Sequence, residues 1–82
     1  MTKEEMIAKA VDILAEEFEV DKEEITPEAD IKKTLDLDSL SLVDLVALIE
    51  ENFDIKIKGS DLLQTATFSQ LYDFLFQRIS EK

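Results

Sequence analysis

Three features of this 82-residue chain predict an all-α fold. It holds one glycine and one proline, which leaves few sites for the tight turns that β-hairpins need. Ala, Leu, Glu and Lys dominate, and these residues favour helix over strand. Three separate stretches place apolar residues at i, i+3, i+4 and i+7, the repeat of an amphipathic helix. The expected architecture is a small bundle of three main amphipathic helices plus one short helix, with a long loop between the first two. We expect residues 1–82 to form a single domain, small enough to bury only about 60–65% of its unfolded surface.

The first helix is predicted from about Lys3 to Phe18. Thr2-Lys3-Glu4-Glu5 has the form of a capping box, and Ile7, Ala10, Val11, Leu14 and Phe18 mark the buried face. Glu19 to Asp38 is polar, contains Pro27, and reads as loop. Loops of that length are uncommon unless they have a function, and the spaced Val20, Ile25, Ile31, Leu35 and Leu37 suggest a segment pinned across the helices. Leu42, Leu45, Val46, Ile49 and Phe53 repeat the helical spacing, so the second main helix runs from Ser39 or Leu40 to Phe53. Gly59-Ser60-Asp61 before Leu62-Leu63 predicts a short helix capped by Ser60 or Asp61. Thr67-Phe68-Ser69-Gln70 is a second capping box, and Phe68, Leu71, Tyr72, Leu75, Phe76 and Ile79 give the last helix its apolar face.

Composition excludes several functions. Cysteine and histidine are both absent, which removes disulfides, thiolate sites, the usual general base near neutral pH and the usual transition-metal ligand. An enzyme is therefore not expected. With 20 acidic against 9 basic residues and a net charge of −11, nucleic acid is not an expected partner, whereas basic protein surfaces are. No charged leader precedes an apolar stretch and no apolar run approaches about 18 residues, so we expect no membrane insertion and a cytoplasmic location, or an organelle interior after processing. The chain is expected to be monomeric. Asp36 and Asp38 open like a calcium loop, but Leu40, Ser41 and Ala47 then fall on its fifth, sixth and twelfth positions, so no metal site is assigned.

The informative stretch is Leu37-Asp38-Ser39-Leu40. It sets a serine where the polar segment becomes helix, and a helix start carries unpaired N–H groups and a partial positive charge that favour a phosphate. Ser39 has an ordinary reading too, as a helix cap, a role that Asp38 fills equally well. The second main helix has a further patterned face: Leu40, Val43 and Ala47 form an apolar stripe bordered by Asp44, Glu50 and Glu51. Folding does not require that stripe. Scattered surface apolar residues are normal, but this one begins beside the serine.

These residues resemble the acyl carrier proteins, a family marked by Asp-Ser-Leu at the start of the second helix of a small acidic bundle. Leu35 to Leu40 is similar to its leucine-x-x-Asp-Ser-Leu core, and Ile25-Thr26-Pro27-Glu28-Ala29 to the segment leading to the site. Val43-Asp44-Leu45-Val46 and Ile49-Glu50-Glu51-Asn52-Phe53 continue the helix in register, so nearly the whole chain is covered. Two positions depart from the pattern. Asp36 stands where the family commonly has glycine, and Ile57-Lys58 where an Ile-Pro pair often follows.

The resemblance implies that a phosphopantetheinyl transferase attaches phosphopantetheine to Ser39, with Asp38 and Leu40 flanking the attachment. It implies a carrier of acyl intermediates held as thioesters for fatty acid or related acyl-chain biosynthesis. Leu40, Val43, Asp44, Ala47, Glu50 and Glu51 would meet acyl-transferring and chain-elongating enzymes through basic docking patches. The family's acyl chain can withdraw between the helices, among residues such as Leu45, Val46, Ile49, Phe53, Leu62, Leu71 and Leu75. Two other readings stay open: a specialised carrier for polyketide, aminoacyl or peptidyl groups, and an unmodified helical interaction module.

Overall fold

The computed structural model describes residues 2–81, so the two ends of the expected 1–82 unit lie outside it. Five α-helices follow in order among the described residues: α1 (Lys3–Phe18), α2 (Ile31–Leu35), α3 (Ser39–Phe53), α4 (Gly59–Leu63) and α5 (Phe68–Ser80). The three long ones are those predicted from the apolar spacing. α1 starts with the expected box, in which the Glu5 N–H donates to Thr2 Oγ1 at 3.2 Å and the Thr2 N–H to Glu5 Oε1 at 3.4 Å.

The segment expected to be loop carries structure of its own. A 3-10 turn spans Lys22–Glu24, and α2 is a five-residue helix capped by Asp30, whose Oδ1 accepts the Lys33 N–H at 3.0 Å. Five residues are too few to show a helical period, which is why the apolar pattern does not reveal α2. The pinning expectation holds: Ile25, Ile31 and Leu35 are buried, with Val20 and Leu37 packed at the edge. Backbone bonds from the start of α5 fix the crossing, since the Phe68 N–H donates to Ala29 O and the Ser69 N–H to Pro27 O. The Ile31 N–H returns to Ala66 O at 3.0 Å.

The cap of α4 differs from expectation. Lys58 occupies the cap position and Gly59 begins the helix, while Asp61 accepts the Lys58 N–H at 3.0 Å from the third helical position. Neither Ser60 nor Asp61 is therefore the cap; Asp61 supplies the reciprocal half of a capping box.

The buried face of α1 is centred one residue from the predicted stripe. Met6, Ala10 and Leu14 are fully buried, and Ile7, Val11 and Phe18 flank them. They meet Leu45, Ile49 and Phe53 of α3 and Phe68, Leu71, Tyr72 and Leu75 of α5 in one core. Ile55 and Ile57 are also buried; their strict alternation with Lys56 is the signal of an extended segment with one buried face. Lys9 ties α1 to the end of α3, donating to Asn52 O at 2.7 Å with its ammonium 5.3 Å above the Phe53 ring. A cation there also meets the negative end of the α3 dipole. The Tyr72 hydroxyl is buried with no hydrogen-bond partner among the described residues, and burial pushes its pKa up to about 12. It stays protonated near neutral pH and has no acid–base task there.

With glycine so scarce, α1, α2 and α3 all end on acidic residues in the left-handed region, Glu19, Asp36 and Asp54, with φ of 55°, 51° and 53°. Asp36 matters most, because it closes α2 two residues before the cap of α3. The N–H groups of Asp36 and Leu37 both return to Lys32 O, the double return of a helix stop. Glycine reaches this conformation without a Cβ penalty, whereas aspartate is among the few other residues that enter it routinely. Asp36 therefore makes the turn without glycine and adds a charge beside it.

Candidate functional site

Asp38, and not Ser39, caps α3. Its backbone is extended, and its Oδ1 accepts the Ser41 N–H at 2.8 Å, so it is the cap of α3. Ser39 becomes the first helical residue. Its side chain is exposed and makes no hydrogen bond among the described residues, so the hydroxyl is available for chemistry. The site takes its position from both sides: the stop at Asp36 turns the chain, and Asp38 begins the new helix.

The Ser41 amide, followed by the Ser41 side chain, holds the Asp38 carboxyl below its ordinary value of 3.8, with a smaller contribution from the Leu40 amide. A depressed carboxylate stabilises the fold above its unfolded-state pKa, and that contribution disappears as pH falls through the lower folded value. Asp38→Ala is expected to lower the melting temperature at neutral pH, with the gap to wild type closing as pH falls below 3.8. Glu5, held low by its Thr2 hydrogen bonds, acts in the same direction in both proteins and cancels in the difference. Circular dichroism melts across this range check it; a gap that persists in acid would show that the cap works without its charge.

Beside Ser39 lies a groove of about 340 Å³ lined by Lys32, Leu37, Asp38, Ser39, Leu42 and Leu63. It adjoins a narrow cleft that shares Lys32, Leu37, Leu42 and Leu63 and continues to Leu45, Leu62 and Leu71. The cleft holds only about 10 Å³, room for at most one water. Of the residues named for an internal acyl site, Leu45, Leu62 and Leu71 line this cleft. Val46, Ile49, Phe53 and Leu75 are outside its lining and pack into or against the general core. Leu63 was not singled out from the sequence, yet it is 53% exposed across the groove from Ser39. Adjacent Leu62 and Leu63 on so short a helix carry the signal, since only one of two neighbours can face the core.

The second face of α3 stands open to solvent. Leu40 is 77% and Val43 65% exposed, and Ala47, Asp44 and Glu51 are exposed with them. Glu50 stands apart from that set. It is half-buried, and its Oε2 accepts the Ile57 N–H at 3.1 Å, holding the chain that leaves α3. An anchoring task inside the fold thus accounts for Glu50.

A serine on a helix start, an adjoining apolar groove and an acidic face with an apolar stripe together suit a tethered group presented to other proteins. Comparison with known proteins agrees in kind. The family model described as "Phosphopantetheine attachment site" matches residues 8–75. The acyl carrier protein of Syntrophobacter fumaroxidans is 44% identical over 70 residues, covering 85% of this chain and 86% of that protein. The acyl carrier protein of Guillardia theta is 35% identical over 80 residues, covering 98% and 99%. That of Rubrobacter xylanophilus is 34% identical over 77 residues, covering 94% and 95%.

Proposed function

Because the chain belongs to the acyl carrier protein family, a family of non-catalytic carriers with a phosphopantetheine attachment site, we propose that Ser39 is the attachment residue. The observation that carries this is the division of labour at the start of α3: Asp38 caps the helix, leaving the Ser39 hydroxyl exposed and without a hydrogen bond among the described residues. A separate phosphopantetheinyl transferase would supply the base that takes the hydroxyl proton; Ser39 Oγ attacks the phosphorus of coenzyme A that carries the pantetheine, the pyrophosphate bond breaks, and adenosine 3′,5′-bisphosphate leaves. The bound group supplies the thiol this chain lacks, on which acyl groups ride as thioesters. The start of α3 favours the phosphate through the positive end of the helix dipole, although the Ser41 N–H is already taken by Asp38. Labelling the protein with coenzyme A and a transferase, then mapping the modified peptide, tests the assignment.

The cargo belongs to fatty acid or related acyl-chain biosynthesis, carried by one monomeric domain acting in the cytoplasm. Mass spectrometry of the thioester in producing cells distinguishes this from a polyketide, aminoacyl or peptidyl cargo. The groove beside Ser39 leads a chain toward Leu45, Leu62 and Leu71, but the cleft is too narrow as it stands, so its walls must part to admit more than a carbon or two.

Partner enzymes dock on the exposed face of α3 through Leu40, Val43 and Ala47, with Asp44 and Glu51 steering basic patches toward it. Charges at a rim act mainly on association rate and are screened by salt. Reversing Asp44 and Glu51 to Lys is expected to lower the second-order rate constant with an acyl-transferring enzyme, with the loss shrinking as salt rises. Val43→Asp places a charge in the desolvated centre and should weaken docking at every salt concentration. Transfer kinetics alongside circular dichroism check both. Wild-type rates from the folded double Lys variant would reduce the acidic face to solvated surface.

A further inference from the structure

Lys32 stands out among the cations. It lines the groove that contains Ser39, the cleft beneath it, and a recess bordered by Asp30, Leu63, Thr65 and Ala66. It is the single cation among the described residues lining that groove. The chain has 20 carboxylates for 9 basic side chains, and Lys3, Lys22 and Arg78 each pair with one. The Lys32 ammonium makes no ion pair or hydrogen bond among the described residues. The capping carboxylates nearby in sequence are engaged elsewhere, Asp30 by the Lys33 amide and Asp38 by the Ser41 amide.

We propose that Lys32 is the counter-ion of the phosphodiester that joins the arm to Ser39, a reading that rests on Ser39 being the attachment residue. A phosphate bonded to Ser39 Oγ enters a groove of which Ser39 and Lys32 are both walls, and it brings a negative charge next to Asp36 and Asp38. An unpaired ammonium is what that site requires, and lysine meets phosphate as a point charge without needing a fixed approach. Lys32 is exposed and shares the groove lining with Leu37, Leu42 and Leu63, a setting in which a lysine stem can cover apolar surface while its charge stays in water. The pair holds the first part of the arm against Leu37, Leu42 and Leu63, at the mouth of the cleft, and a partner enzyme must lift it from there. Lys32 is thus a positioning residue for the arm.

The test uses the full chain, unmodified and loaded, with loading verified by intact mass. The carbon-13 signal of the Lys32 ε-methylene should shift on loading. The phosphorus-31 resonance of the loaded protein should move in Lys32→Gln and return toward wild type in Lys32→Arg, with differences fading at high salt. The arm's thiol should react faster with a small disulfide in Lys32→Gln. Inorganic phosphate added to unmodified protein, at the concentration of the loaded sample, should leave the Lys32 signal in place, because tethering raises the local concentration far above that. An equal shift with free phosphate would make Lys32 a general anion site and overturn the pairing with the arm. An unmoved Lys32 signal on loading, or the same phosphorus resonance in wild type and Lys32→Gln, would overturn it as well. A protein whose mass shows no addition would remove the Ser39 assignment itself, and this inference with it.

Discussion

Ser39→Ala is expected to abolish loading completely, leaving a protein of unmodified mass after exhaustive treatment with coenzyme A and a transferase. The change removes one exposed hydroxyl that has no partner among the described residues, and surface substitutions of that kind usually alter stability by no more than about 0.5 kcal/mol. Loss of modification at an unchanged melting temperature would therefore report chemistry and not unfolding. Ser41 makes the experiment discriminating. It lies two residues on, half-buried, with its amide committed to Asp38, and it would keep the Ser39→Ala protein loaded if the transferase merely selected a serine near the helix start. Full addition to that variant would sink the assignment.

The largest effect on stability is expected from Phe68→Ala. Phe68 is fully buried and packs beside Tyr72, with ring centroids 6.3 Å apart. Emptying such a site costs about 3–5 kcal/mol, the transfer free energy of the ring plus the cavity left behind. Domains have total stabilities of about 5–15 kcal/mol, and one this small belongs at the low end. A fall in melting temperature of at least about 12 °C should follow, and loss of the cooperative transition at physiological temperature is within that range. Phe68 is also where the loop crossing is fixed, because its backbone N–H donates to Ala29 O. Hydrogen exchange should consequently rise around α2 as well as in α5. A melting temperature within a few degrees of wild type would show that the core closes around the missing ring.

Much of this was legible in the residues themselves. The three long helices were readable because each runs for at least 13 residues, long enough for the apolar period to repeat, and because a capping box marks the start of α1 and a threonine cap that of α5; the box expected at Thr67–Gln70 forms only by half, since Gln70 Oε1 accepts the Ala66 N–H. Ser39 was readable from its place between a polar segment and a patterned helix, and from the motif it shares with the carriers. α2 and the cap of α4 were not. Helices of five residues express no period, and their ends depend on which side chain a nearby carboxylate or carbonyl finds in three dimensions.

What the sequence alone determined is the fold class, the position of the long helices, the acidic surface and the candidate serine, since these follow from local spacing and side-chain chemistry. Tertiary structure decided the rest. It made Asp38 the cap and freed Ser39, turned Glu50 inward to the Ile57 amide, and brought Lys32 and Leu63 to the same groove as Ser39. The shared groove depends on residues distant in sequence meeting across α2, α3 and α4, whereas the Asp38 cap and the Glu50 anchor are short-range contacts whose choice of partner spacing alone does not decide. Periodicity assigns a face to each helix, but only packing determines which neighbour that face meets.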